Sequence, residues 1–87
     1  MTKAIWKFPL RIDDRQIVRM PRDAVILSCQ FQDGILCLWA EVDPLNSRTD
    51  RTFAVVGTGH PYDFYGTFIA TAQQPPFVWH VFEVFKK

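Results

Sequence analysis

The pair Asp33-Gly34 separates two runs in which apolar and polar residues alternate, and no other feature of the chain limits its fold as tightly. A two-residue type I′ turn requires positive φ at both positions, which Asp and Gly tolerate, and its twist suits antiparallel strands. Strands from Ala24 to Gln32 and from Ile35 to Asp43 then have a defined register. The spacing predicts Phe31 opposite Leu36, Cys29 opposite Leu38, Leu27 opposite Ala40 and Val25 opposite Val42, one apolar face. The other face is mixed: Gln32 with Ile35, Gln30 with Cys37, Ser28 with Trp39, Ile26 with Glu41.

The same period of two runs through the rest of the chain. Trp6, Phe8, Leu10 and Ile12 alternate with Ile5, Lys7, Pro9 and Arg11, as in a strand with one buried face. Pro9 has no amide to donate, which places that strand at a sheet edge or at a bulge. Asp13-Asp14 ends it, and Gln16 to Met20 reads as a second strand stopped by Pro21. Asp43 to Asp50 reads as a polar loop and Arg51 to Val56 as a strand running into Gly57-Thr58-Gly59-His60-Pro61. After Pro61, residues 62–66 suit one helical turn, because proline tolerates a first helical position. A last hairpin joins Thr67 to Gln73 with Phe77 to Phe85; a loop of about four residues predicts Ala72 opposite Phe77, Ala70 opposite Trp79 and Phe68 opposite Val81. Both faces of the final strand are apolar, so it lies centrally in a sheet or between two layers. The expected fold is one domain over 1–87, all-β: a compact antiparallel barrel or sandwich of six to seven short strands, with at most one helical turn near 61–66.

With 48% apolar and 22% charged residues the chain does not read as disordered. No apolar run approaches the roughly 18 residues that span a bilayer, and the N-terminus lacks the pattern of a secretory signal. A soluble cytoplasmic protein without membrane contact is expected. The hairpin register puts Cys29 and Cys37 on opposite faces, against disulfide geometry. Free thiols fit a reducing compartment. Cys29 is read as a core residue and Cys37 as a half-covered structural thiol. The two cysteines with His60 and His80 lack metal-ligand spacing, and neither a metal nor a cofactor is expected.

The glycine segment is no phosphate loop, since the Lys-Ser/Thr of one pattern and the third glycine of the other are missing. A tight turn or bulge needing positive φ is the stronger reading. His60 and Asp63 are three apart, close enough for a carboxylate to orient an imidazole as general base. Thr58 and Cys37 are the nucleophiles on offer, but no spacing ties either to His60, so no catalytic residue is assigned and a small hydrolase using His60 stands as an alternative. His80 reads as a hydrogen-bonded histidine between aromatic neighbours. Residues 1–22 hold six basic side chains against Asp13 and Asp14, although the whole chain carries only +1. Lys7, Arg11, Arg15 and Arg19 with exposed aromatics make single-stranded nucleic-acid or nucleotide binding a second alternative.

Lys7-Phe8-Pro9-Leu10, Cys37-Leu38-Trp39-Ala40-Glu41-Val42-Asp43-Pro44, Gly57-Thr58-Gly59-His60-Pro61 and His80-Val81-Phe82-Glu83 occur in an order and spacing similar to a family of short uncharacterised domains from phage and prophage genomes. The resemblance spans nearly the whole chain and implies expression in the cytoplasm of a bacterial host; it brings no activity and no catalytic residues. The leading expectation is a non-enzymatic module that binds a protein partner, a host protein in that setting, as modulator or inhibitor of a host system. Trp39 with Ile35, and His60, Tyr62, Phe64 and Tyr65 around the glycine turn, are the expected contact residues, because exposed aromatics dominate interface energy. A second copy of the chain is the other protein partner such a face would suit.

Overall fold

A computed structural model describes residues 2–85 as seven strands, β1 Ala4–Leu10, β2 Gln16–Pro21, β3 Val25–Gln32, β4 Ile35–Val42, β5 Arg48–Gly57, β6 Gly66–Gln74 and β7 Phe77–Val84. They form two antiparallel sheets, one in the order β1-β4-β3 and one in the order β2-β5-β7-β6. The sheets pack face to face as a sandwich that does not close into a barrel. Alternation decides what lies between them: Leu36, Leu38 and Val42 of β4 meet Met20, Phe53 and Val81 of the other sheet, all essentially out of solvent. Each such side chain contributes roughly 1.5–3 kcal/mol of transfer free energy. The strand carrying Pro9 is an edge strand, the position in a sheet that tolerates proline because one row of its amides has no neighbouring strand. The final strand is interior, as its two apolar faces predict.

The chain passes between sheets after β1, β2 and β4. The second crossing is a tight turn in which Ala24 N donates to Pro21 O at 3.2 Å, with Asp23 at φ 66°. The third is fastened to it: Arg22 N donates to Ser47 O at 2.8 Å and Asn46 Nδ2 to Arg22 O at 2.9 Å. The loop after β4 is shorter than its polar sequence predicts, because Arg48, Thr49 and Asp50 pair with Pro21, Met20 and Arg19.

Asp33 and Gly34 have φ of 51° and 79°, as a type I′ turn requires, and the predicted pairs from Ser28 to Gln32 are present. Beyond them the register slips between Ile26 and Ser28, so Ile26 faces Ala40 and Val25 faces Glu41. Leu27 is the extra residue of this bulge and lies exposed, while Ile26 packs on the core. The expected pairs of Leu27 with Ala40, Val25 with Val42 and Ile26 with Glu41 therefore do not form. Cys37 is on the outer face as expected, yet it is fully buried instead of half covered. The reason is local: Pro9 and Gln30 flank it, and Lys7 Nζ donates to Gln32 Oε1 at 2.8 Å. Lys7 pairs with Trp39 and Gln32 with Ile35, so that bond crosses β4 over Cys37.

The last hairpin turns on Pro75-Pro76 alone, a cis pair, instead of on four residues. Gln74 consequently faces Phe77, Ala72 faces Trp79 and Ala70 faces Val81. A second slip between Phe68 and Ala70 brings Phe68 opposite Phe82. Residues 60–65 contain no helical turn. Tyr62 and Phe64 both rest on Phe82, with ring centroids 5.2 and 5.4 Å away. Side chains two apart share a face in an extended chain but not in a helix.

Candidate functional site

The glycine segment is a β-turn at the end of β5. His60 N donates to Gly57 O at 3.0 Å, and Gly59, third of the four residues, has φ 87°. That position of a type II turn demands positive φ, which explains the second glycine. The turn is also held to β7, since Thr58 N donates to Val78 O at 3.3 Å.

This anchoring sets Thr58 beside His80. In the register of β7, His80 faces Val56 of β5 on one side and Thr71 of β6 on the other. Thr58 Oγ1 lies 2.8 Å from His80 Nε2, and Thr71 Oγ1 lies 3.0 Å from His80 Nδ1. Both ring nitrogens are thus engaged by hydroxyls, on the outer face of the four-stranded sheet.

Beside this group the 60–65 segment lies across the same face and builds an aromatic ridge. Tyr62 and Phe64 are 4.7 Å apart by centroid, and Phe68 meets Phe82 at 5.6 Å in an edge arrangement. The ridge remains open to solvent, with Tyr62 53% exposed and Phe68 54%; Tyr65, next along the segment, is 74% exposed. A cleft of about 350 Å³ separates the segment from the 12–15 loop, with Ile12, Asp14, Gly57, His60, Tyr62 and Trp79 among its walls. Arg15 spans its mouth, 3.8 Å from Asp63 and 5.7 Å above the Phe64 ring. The base of the 12–15 loop is fixed by the buried Gln16, whose amide donates to Arg11 O at 2.7 Å and accepts from Arg11 N at 2.9 Å.

His60 and Asp63 line the same cleft, but the Asp63 carboxylate pairs with Arg15 and its side chain is 93% exposed. Among the described residues no hydrogen bond joins His60 to Asp63. The His60 ring instead covers Gly57, where an added Cβ would come within 2.9 Å of Nδ1. Cys37 is in the other sheet and buried, away from either histidine. Of the remaining expected contact residues, half-buried Trp39 and exposed Ile35 lie on the outer face of the three-stranded sheet, across the sandwich from His60, Tyr62, Phe64 and Tyr65. The basic side chains are spread out and mostly paired: Arg11 with Asp13 at 3.2 Å, Arg15 with Asp63, Arg19 with Asp50 at 3.0 Å, and Lys7 with Gln32. No group of three or more His, Cys, Asp and Glu side chains placed to hold a metal ion occurs among the described residues.

The group that residue spacing did not reveal is Thr58, His80 and Thr71. Its members come from a turn and two strands, and only the true hairpin register brings Thr71 opposite His80. The Gly-Thr-Gly sequence signalled the turn, and the polar His80, in a strand apolar but for it and Glu83, signalled a residue needing partners.

The fold and this surface define a small two-sheet antiparallel β-sandwich with a solvent-facing aromatic ridge beside a hydroxyl-held histidine. The chain belongs to the family described as a domain of unknown function (DUF7352), which matches residues 1–87. No curated protein and no solved structure matches the chain.

Proposed function

We propose that this protein is a non-enzymatic interaction module, produced from a phage or prophage in the cytoplasm of its bacterial host, that docks on a host protein and modulates or inhibits the system to which it belongs. The observation that carries the docking part is the ridge of Tyr62, Phe64, Phe68 and Phe82, with Tyr65 beside it and Arg15 laid over Phe64. Aromatic rings with an adjacent arginine are the composition of interface hot spots, and they cost little conformational entropy to order because each ring has only two torsions. The ridge sits on a sheet backed by the core, so it is already shaped before a partner arrives. The resemblance of the four sequence motifs to phage domains supports the setting.

The reading is tested by affinity capture from the host with wild-type protein and with Tyr65→Ala and Phe68→Ala, quantifying partners by mass spectrometry. A single host protein retained by the wild type and lost from both variants, at unchanged fold, is the expected result. A partner retained equally by the ridge variants and lost on Trp39→Ala moves the interface to the other sheet. Capture of nucleic acid that weakens with salt and with Arg15→Glu replaces the reading by its runner-up.

A further inference from the structure

We infer that Thr58, His80 and Thr71 form a nucleophilic centre that accepts acyl groups from activated esters, with Thr58 Oγ1 as nucleophile and His80 Nε2 as its base. The docking reading uses none of these residues, and this centre goes beyond its non-enzymatic character: the chain carries slow ester chemistry beside the docking ridge. A base within hydrogen-bond reach of a hydroxyl, itself oriented by a third group, is the arrangement that activates a weak oxygen nucleophile. Here the two distances are 2.8 Å and 3.0 Å. The hydroxyl can donate to Nε2 only in the tautomer that carries its proton on Nδ1, and that proton has Thr71 Oγ1 as acceptor.

In that tautomer Nε2 is free to take a proton; Thr71 Oγ1 accepts from Nδ1 there and donates to it in the other tautomer, so it supports the competent form without excluding its alternative. Thr58 lies at the second position of the β-turn and is exposed, so an ester can approach. Gly59 follows directly, and the amide after a nucleophile is the one that acyl-transfer sites use to hold the oxyanion. The amides on either side are already committed, Thr58 N to Val78 and His60 N to Gly57.

The step balances without a further reagent. His80 Nε2 takes the hydroxyl proton as Thr58 Oγ1 bonds to the acyl carbon; the bond from that carbon to the leaving oxygen breaks, and the leaving group departs with the electron pair and receives the proton. Water, deprotonated in turn by His80, then cleaves the acyl-threonine and restores the hydroxyl. A neutral hydroxyl in place of a carboxylate gives the imidazolium little stabilisation. Replacing that carboxylate by a neutral amide in a serine-protease triad, which also leaves the imidazole in the wrong tautomer, lowers kcat by about 10⁴. Esters with good leaving groups are thus the substrate class, and acylation is expected to outpace release.

The full chain is incubated with p-nitrophenyl acetate; nitrophenolate release is followed optically and the site of the added acetyl group is located by peptide mass spectrometry. Acetyl on Thr58, with Thr58→Val and His80→Gln reducing its rate by about 100-fold or more, is the expected result. Thr58→Ser should remain acylated. Thr71→Val should slow acylation roughly 10-fold and Thr71→Ser should recover it, which a purely structural role for that hydroxyl would not require. Thermal melting accompanies each variant, and if His80→Gln is unfolded the Thr58→Val and Thr58→Ser pair decides. Acetyl found only on lysines or the N-terminus, or a Thr58→Val rate equal to wild type, overturns the inference.

Discussion

Arg51 ties the four-stranded sheet to the turn that leads into β3. Its Nε and Nη2 each donate to Glu83 at 2.7 Å, linking β5 to β7, and its Nη1 donates to Ala24 O at 2.5 Å just before β3. The hydrogen bond to Glu83 raises the guanidinium pKa further above its already high value, against burial, which lowers it. Both side chains are mostly shielded, so removing one strands the other in poorly hydrated surroundings. Arg51→Ala should cost about 2–3 kcal/mol, read as a fall in Tm of roughly 10–20 °C for a domain of this size. Adding Glu83→Ala should cost less than the sum of the two single changes by about 1 kcal/mol or more; strict additivity would show that the pair is not coupled. A second residue-scale effect concerns pH. Burial, aided by the neighbouring Cys37, pushes the Cys29 thiol up to about 11 from its ordinary 9.0. The folded chain then keeps a proton that the unfolded chain releases, so the contribution is complete below pH 9.0 and is lost as pH rises toward about 11. Denaturant unfolding should lose up to about 3 kcal/mol from this thiol over that window. Because lysine and tyrosine titrate there too, the quantity to read is wild type minus Cys29→Ala; a difference that stays flat with pH would refute the assignment.

At the scale of elements, the alternation of apolar and polar residues, the Asp33-Gly34 turn and Pro9 were enough to locate strands, the register near the turn and one sheet edge. The bulges were hidden for a physical reason: Ile26 and Leu27 are both aliphatic, as are Ile69 and Ala70, so an extra residue changes which one faces inward without disturbing the visible pattern. Loop length at Pro75-Pro76 was also unreadable, and that error of two residues kept the faces but moved every cross-strand partner. Cover over Cys37 depends on side chains from both neighbouring strands, which no reading of one hairpin contains. The Lys7–Gln32 bond over Cys37 yields a test at this scale. A disulfide reagent should label the wild-type thiols slowly, and Lys7→Ala or Gln32→Ala should raise the labelling rate of Cys37 about 10-fold or more while leaving Cys29 unchanged. Equal rates in all three proteins would mean that the bond does not guard the thiol.

At the scale of the whole molecule, the surface was legible only in parts, because its pieces meet through the arrangement of sheets. Tyr62, Phe64 and Tyr65 could be named as exposed aromatics, but their joining with Phe68 and Phe82, and their separation from Trp39 and Ile35, follow from sheet order and from the slip in β6. The same arrangement governs stability. Among the described residues neither sheet has any other surface on which to bury its inner face, and the chain crosses between them three times. Leu38 and Val42 from one sheet and Phe53 and Val81 from the other belong to one cluster, so the loss of either sheet exposes the core of the other. The domain should therefore unfold in a single cooperative step, the usual behaviour of small domains with one core. The tryptophans allow this to be checked by location, since Trp6 and Trp39 are in the three-stranded sheet and Trp79 is in the four-stranded one. A variant keeping only Trp79, made with Trp6→Phe and Trp39→Phe, reports one sheet; a variant keeping only Trp39 reports the other. Within each variant, the urea midpoint from fluorescence should coincide with that from far-UV circular dichroism. Separate midpoints, with the Trp39 signal lost before the overall β signal, would show that the four-stranded sheet stands without its partner and that the shared core does not couple them.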